Sequence, residues 1–222
     1  DIMNIRYPIY EGVYRILTEK FHADLRESYR REREQEKERY HNEIIGYHGS
    51  EEGLETLLGY QLFSIGNRAD SAALVYQVDY VLDGYVKKAG TNFVLSVGRL
   101  IGSQPELKGE QRLRKEDIYW EMPRCYQWDI TVNLPEGYRI SPEGLERLNV
   151  KVENDCGAFI VQATTEDGTL RIKAEKRINH KTEPVANWEK LLEITDAANS
   201  YEALSIVFQA TINPPTSPTT GY

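Results

Sequence analysis

The stretch CYQWDITVNLPEGYRI, residues 125–140, alternates apolar and polar side chains until a Pro-Glu-Gly turn ends it. A period of two with one apolar side predicts a strand that packs on a core with one face and meets water with the other, as in antiparallel sheets. Cys125 has the parity of the polar face. The apolar face consists of Tyr126, Trp128, Ile130, Val132 and Leu134.

The same period recurs elsewhere along the chain and predicts further strands. They are residues 74–82, 148–152, 159–165, 170–178 and 204–210, and a shorter apolar segment begins at Thr91. Glu166-Asp167-Gly168 separates two of these strands and predicts a hairpin, because glycine tolerates a positive φ. Turn signals at spacings near ten residues indicate a β-sandwich.

Two helices interrupt this pattern. Phe21, Leu25 and Tyr29 recur at steps of four, which predicts a long, highly charged helix that begins after Thr18 and ends at Gly46. A second helix follows Pro184 over residues 187–199, with Trp188, Leu191, Leu192 and Thr195 on one face. We also expect a helical turn around Leu54, Leu57 and Leu58.

The expected fold is therefore α+β and mainly β: an antiparallel β-sandwich with a long charged N-terminal helix and a short helix before the last strand. We divide the chain into residues 1–70, which hold the N-terminal segment and the long helix, residues 71–212, which form the sandwich, and a disordered Pro/Thr-rich tail at 213–222.

Charge and hydropathy exclude two classes of partner. The net charge of −8 argues against a nucleic-acid partner, because phosphate binding needs an excess of Lys and Arg. No apolar run approaches the roughly 20 residues of a membrane span. We recognise no signal peptide and, since the chain opens at Asp1, we expect a processed or excised piece.

The order of these segments resembles a known family. The charged helix LRESYRREREQEKERYHNEI precedes DYVLDGYVKKAG, and NLPEGYRI, a hairpin and the helix EPVANWEKLLEITDAAN come later. The chain is similar to the C-terminal domain of unknown function that follows the transglutaminase-like core in secreted proteins of anaerobic Gram-negative bacteria. The resemblance covers roughly residues 15–210, and its most specific pieces are YVKKAG at 85–90 and LPEGY at 134–138.

This resemblance implies a non-catalytic role. The family's catalytic Cys, His and Asp lie in the core upstream, so no residue of this chain inherits a catalytic function. It also implies export to the periplasm or the cell surface.

The residues themselves give weak support to a cysteine hydrolase. A cysteine nucleophile needs a base within hydrogen-bond reach, and neither cysteine stands at the start of a helix, where its thiolate would be stabilised. Spacing does not exclude a partner among the histidines, which are His22, His41, His48 and His180. A structural role for both cysteines is favoured, and a Cys125–Cys156 disulfide between neighbouring strands is left open.

We expect no metal and no cofactor. Zinc sites need closely spaced Cys and His pairs, and calcium loops alternate acidic residues, which the EDG at 166–168 is too short to do. No Gly-rich phosphate loop is present.

Surface aromatic residues are the candidate binding site. Tyr119 and Trp120 precede the strand predicted from residue 125 and adjoin Glu121. We therefore expect these two aromatic side chains to lie at the surface. The sequence thus predicts a non-catalytic accessory module of a transglutaminase-like protein that contacts a neighbouring domain or protein. The alternative is a sandwich that binds carbohydrate or protein through these aromatic residues.

Overall fold

The computed structural model describes residues 5–6, the helical positions 35, 38, 39, 42 and 46, and the stretches 54–67 and 72–211. It divides the chain into two compact units, Asp1–Asp83 and Gly84–Tyr222. The sequence placed this boundary between residues 70 and 71. The two positions differ because the strand expected from Leu74 pairs with another strand of the first unit.

The first unit contains β1 (Ile5–Arg6), β2 (Leu54–Asn67) and β3 (Ala72–Leu82). The alternation expected for β3 is confirmed, since Val78 is 6% exposed whereas Val75 and Val81 are 42% and 40% exposed. The helical turn expected around Leu54 is wrong, because that segment is the strand β2. Three register shifts in the β2–β3 pairing interrupt the period of two, so the sequence of β2 lacks a strand pattern.

The long charged helix expected from Thr18 to Gly46 lies largely outside the described residues. The described positions in that range, Gln35, Glu38, Arg39, Asn42 and Gly46, are helical. The tail at 213–222 also lies outside the described residues.

The second unit is built from ten strands, two α-helices and three short 3-10 helices among its described residues. Its strands and helices are β4 (Val86–Ala89), β5 (Asn92–Leu95), β6 (Ile118–Tyr119), β7 (Arg124–Asn133), β8 (Tyr138–Arg139), α1 (Pro142–Glu146), β9 (Val150–Asn154), β10 (Gly157–Glu166), β11 (Thr169–Ile178), β12 (Thr182–Glu183), α2 (Trp188–Glu202) and β13 (Ile206–Ala210). The 3-10 helices are Val97–Ile101, Gly109–Arg112 and Val185–Asn187.

The main sheet of this unit runs in the order β7-β11-β10-β9, and every neighbouring pair is antiparallel. The β10–β11 hairpin confirms the turn expected at Asp167-Gly168. Both turn residues have a positive φ, 48° and 73°, which matches the twist of a two-residue hairpin. A smaller sheet runs β4-β5-β13-β8, and β6 pairs with β12.

The inner face of the main sheet carries the core. The face expected from the sequence of β7 is confirmed, since Trp128, Ile130 and Val132 are buried. Helix α2 lies against β9 and β10, and its Tyr201 ring meets Phe159 of β10 edge-on at 5.7 Å. Each fully buried apolar side chain of this size stabilises the fold by about 1.5–3 kcal/mol.

The buried stripe of α2 is rotated from the one expected. The sequence placed Trp188 and Thr195 on the core face, but the buried side chains are Leu191, Leu192, Ile194, Ala198 and Tyr201. Trp188 is half-buried, and the Thr195 hydroxyl donates a hydrogen bond to the Leu191 carbonyl. The buried face of α2 is therefore wider than expected, and Trp188 lies at its edge.

Gly98 lets the first 3-10 helix approach the end of α2. A Cβ atom at this position would lie 1.9 Å from the Tyr201 carbonyl oxygen, and the Gly98 N–H donates to the Leu204 carbonyl at 3.0 Å. Only glycine fits this backbone approach.

The predicted fold class is confirmed: the protein is α+β and mainly antiparallel β, with a short helix before the last strand. Within the described residues, no helix is both long and apolar enough to cross a bilayer.

Candidate functional site

Glu183 is the one charged side chain among the described residues that is buried, at 2% exposure. It lies on β12 opposite Ile118 of β6. One carboxylate oxygen, Oε1, is 2.5 Å from Nδ1 of His180, and the other, Oε2, accepts a hydrogen bond from Nδ2 of Asn187 at 2.8 Å. A buried carboxylate costs several kcal/mol unless such partners satisfy it.

The Cys156 thiol lies near this carboxylate. It is fully buried in the turn between β9 and β10, near enough to Glu183 for the carboxylate charge to act on its pKa. The backbone N–H of Cys156 donates to Oδ1 of Asn154 at 3.0 Å, which fixes the turn. We refer to Cys156, His180, Glu183 and Asn187 as the Glu183 cluster.

Electrostatics keep the carboxylate ionised and the thiol protonated. Burial acts to raise the pKa of Glu183, but the hydrogen bonds from Asn187 and His180 outweigh it, so its pKa lies below its ordinary value. Burial raises the pKa of the Cys156 thiol, and the charge of Glu183 raises it further. Lys190 acts in the opposite direction on this thiol, with a smaller effect.

This arrangement is the reverse of the one a cysteine nucleophile needs. A thiol is activated when an imidazole or another cationic neighbour stabilises its thiolate. Here the thiol faces an anion, and the imidazole binds that same anion from another side. The cluster therefore acts as a joint. Glu183 connects His180, which follows β11, to Asn187 at the start of α2, and the Cys156 thiol lies beside the carboxylate.

An apolar shell surrounds the thiol. Ile118, Leu191 and Cys156 form a buried cluster against which three partly buried side chains pack, Trp120, Ile178 and Trp188. The Trp188 indole N–H donates to the Arg112 carbonyl at 2.7 Å, so the end of the second 3-10 helix closes this shell on one side.

The two candidate aromatic residues separate in the structure. Tyr119 is 62% exposed, and the Lys181 ammonium lies 5.1 Å from its ring centroid. Trp120 turns inward and packs against the shell around Cys156. They alternate because they are successive residues of an extended segment, so the two rings do not form one surface.

Cys125 lies on the exposed face of β7, as its parity predicted. Burial raises the pKa of its thiol, the nearby Glu175 carboxylate raises it further, and the Arg177 guanidinium acts to lower it.

No disulfide joins Cys125 to Cys156, and both thiols are free. Strand β11 lies between the strand of Cys125 and the strand that follows Cys156. Two strand spacings of about 4.8 Å each exceed the Cα separation of roughly 4.4–6.8 Å that a disulfide spans. The bond that the sequence left open is therefore absent from this structure.

Sequence reasoning missed Glu183 and Asn187. Three of the four side chains of the Glu183 cluster lie within residues 180–187, and the fourth, Cys156, comes from the distant β9–β10 turn. One local signal was available: His180 and Glu183 stand three residues apart just before Pro184 and a helix. Across the described residues, no three His, Cys, Asp or Glu side chains are arranged to hold a metal ion.

Comparison with protein families identifies a domain in this chain. Residues 98–208 match a family described as a domain of unknown function with solved structure (DUF3858), and this range is half of the chain. The chain belongs to the DUF3858 family. The DUF3858 match begins inside the first 3-10 helix and ends in β13, so it contains the main sheet, α2 and the whole Glu183 cluster. Comparisons with curated proteins and with solved structures found no match.

Proposed function

We propose that this DUF3858 protein is a non-catalytic accessory module that contacts a neighbouring domain or a protein partner, and that it belongs to an exported transglutaminase-like protein. The family match identifies a domain of unknown function. The transglutaminase-like context and the location in the periplasm or outside the cell rest on the resemblance of the YVKKAG and LPEGY segments.

The observation that carries the contact role is a short stretch rich in exposed apolar side chains. Within ten residues, Leu113, Tyr119 and Met122 are 75%, 62% and 60% exposed. Large apolar side chains concentrated at the surface mark interaction sites. Ile118, which lies in the same stretch, is 4% exposed and connects it to the core.

The Glu183 cluster supports the non-catalytic part of the proposal. Its thiol is held protonated beside a carboxylate, and its histidine serves the same carboxylate. The cluster contains residue types that occur in catalytic sites. Their arrangement is nevertheless that of a structural joint.

The complete reading frame and a binding measurement test the proposal. We expect a Cys-His-Asp core upstream and a signal peptide, and we expect that core, expressed separately, to bind this chain in isothermal titration calorimetry. Replacing Leu113, Tyr119 and Met122 together with Ser should weaken binding by roughly tenfold or more, because truncating the central apolar contacts of an interface costs several kcal/mol.

The matched control replaces Val86 and Val207 with Ser. These valines are also exposed, at 53% and 39%, but lie on the smaller sheet. The proposal fails if the reading frame contains no such core, or if the triple variant and the control bind the core equally well.

Tyr119 favours a second candidate function, which is carbohydrate binding. An exposed ring beside an ammonium group can stack on a sugar face. A glycan array that shows selective binding, lost in Tyr119→Ala and kept in Trp120→Phe, would support this function over the accessory module. Absence of glycan binding would leave the accessory module as the better account.

A further inference from the structure

Residues 102–117 run alongside α2 as one continuous segment, between the first 3-10 helix and β6. At its start, the Gln104 N–H donates to Glu202 Oε2 at 2.5 Å, near the end of α2. At its end, Asp117 Oδ1 accepts from the Val185 N–H at 2.8 Å, just before α2 begins. The segment therefore follows the helix from its last turn back to its first.

The central attachment is a two-pronged ion pair. The Arg112 guanidinium donates two hydrogen bonds of 2.7 Å to the two carboxylate oxygens of Asp196. The carbonyl of Arg112 accepts from the Trp188 indole, and the Arg114 guanidinium lies 5.3 Å from the centre of the Trp188 ring. Both partners of the ion pair are partly exposed, at 39% and 46%.

Polar contacts hold this segment in place. None of residues 102–117 is buried, and Leu113 at its centre points away from the protein with 75% exposure. A segment with few buried apolar contacts opens at a lower free energy than the core to which it is attached.

We propose that residues 102–117 form a detachable strap on α2, and that opening of this strap gives access to the buried Cys156. Two of the side chains that cover the thiol depend directly on the strap. Ile118 follows its last residue, and Trp188 is hydrogen-bonded to Arg112. Opening releases both, so the strap controls access to the Glu183 cluster. The attachment of the strap to α2 weakens as ionic strength rises, because salt screens the exposed ion pair between Arg112 and Asp196.

Alkylation of Cys156 measures the opening. The protein carries Cys125→Ser, so that Cys156 is its one thiol, and reacts with iodoacetamide at fixed pH and low salt. Asp196→Asn should speed the reaction roughly two- to fivefold, the factor expected for an exposed ion pair. Added salt should raise the alkylation rate of the parent chain towards that of this variant. It should leave the alkylation rate of the variant nearly unchanged.

Two controls separate strap opening from other causes. Glu106→Gln removes the ion pair between Glu106 and Lys108, which lies wholly inside the strap, and should leave the rate unchanged. Ser141→Ala weakens the N-cap of α1 and so lowers overall stability at a site outside the strap. It should speed alkylation less than Asp196→Asn does.

The proposal is overturned if Asp196→Asn reacts at the parent rate, or if either control speeds alkylation as much. It is also overturned if Cys156 stays unreactive in every variant until the protein unfolds in urea.

Discussion

Glu183 shows how one buried carboxylate is tolerated in this fold. Two side chains hydrogen-bond to it, His180 and the half-buried Asn187. The carboxylate is ionised because these hydrogen bonds outweigh the cost of burial. Removing the charge therefore weakens the acceptor around which both groups are arranged.

Glu183→Gln should lower the free energy of unfolding by about 1.5–3 kcal/mol near neutral pH, the range for hydrogen bonds to a charged group. The pKa of Glu183 is lower in the folded protein than in the unfolded chain. Its contribution is thus complete above the ordinary pKa of 4.5 and is lost as the pH falls through the folded pKa.

Urea unfolding at a series of pH values checks this prediction. The difference in stability between the parent and Glu183→Gln should shrink below pH 4.5. A difference that stays constant through the acidic range would show that Glu183 does not carry a native-state charge.

Tyr201 is a contrasting residue. Its hydroxyl is the one buried side-chain polar atom among the described residues without a hydrogen-bond partner, and burial raises its pKa. Tyr201→Phe removes an unsatisfied hydroxyl and keeps the ring that meets Phe159. We expect this change to raise the free energy of unfolding by about 1 kcal/mol.

The matched control is Tyr138→Phe. The Tyr138 hydroxyl donates to the Thr91 carbonyl at 3.1 Å, so its removal should lower stability by about 0.5–1.5 kcal/mol. Thermal or urea unfolding compares the two variants. A clear loss of stability in Tyr201→Phe would mean that its hydroxyl is satisfied after all.

At the scale of elements, the sequence predicted the strands and the helix whose own residues carry a clear period or a turn signal. The β10–β11 hairpin has strict alternation on both sides of a turn that needs two positive φ angles. Helix α2 follows a proline and has a helical period. Strand β2 was missed because its register shifts break the alternation, and the rotation of α2 was missed because the half-buried Trp188 resembles a core residue in sequence.

The short helix α1 depends on its N-cap. The Ser141 side chain accepts a hydrogen bond from the Gly144 N–H at 3.0 Å, and Pro142 occupies the first turn. Ser141→Ala should lower the free energy of unfolding by about 0.5–2 kcal/mol. Ser141→Asp, which can cap in the same way, should restore most of it, and equal losses in both variants would contradict this role for Ser141.

At the scale of the whole molecule, the candidate site lay beyond prediction because it is assembled by topology. The Glu183 cluster forms when β6 pairs with β12 and when the β9–β10 turn meets the start of α2. Only the three-dimensional arrangement brings Cys156 to Glu183 or separates it from Cys125. Parity, by contrast, is a local property, and the exposed position of Cys125 followed from it.

The number of reactive thiols reports this arrangement directly. Cys125 is exposed and Cys156 is fully buried, and both are free. Ellman's reagent should therefore titrate one thiol in the native protein without reductant, and two after unfolding in denaturant. The Cys125→Ser chain is the control and should show none and then one. A count of zero in the unfolded parent would indicate a disulfide.

The central claim is that the carboxylate of Glu183 holds Cys156 as a protonated thiol within a structural joint. The most direct measurement is the ultraviolet absorbance of the thiolate against pH, taken as the difference between the Cys125→Ser chain and the Cys125→Ser, Cys156→Ser chain, so that tyrosine signals cancel. We predict no thiolate signal between about pH 5 and about pH 8. A thiolate that forms within that range would contradict the account and would make Cys156 a candidate nucleophile.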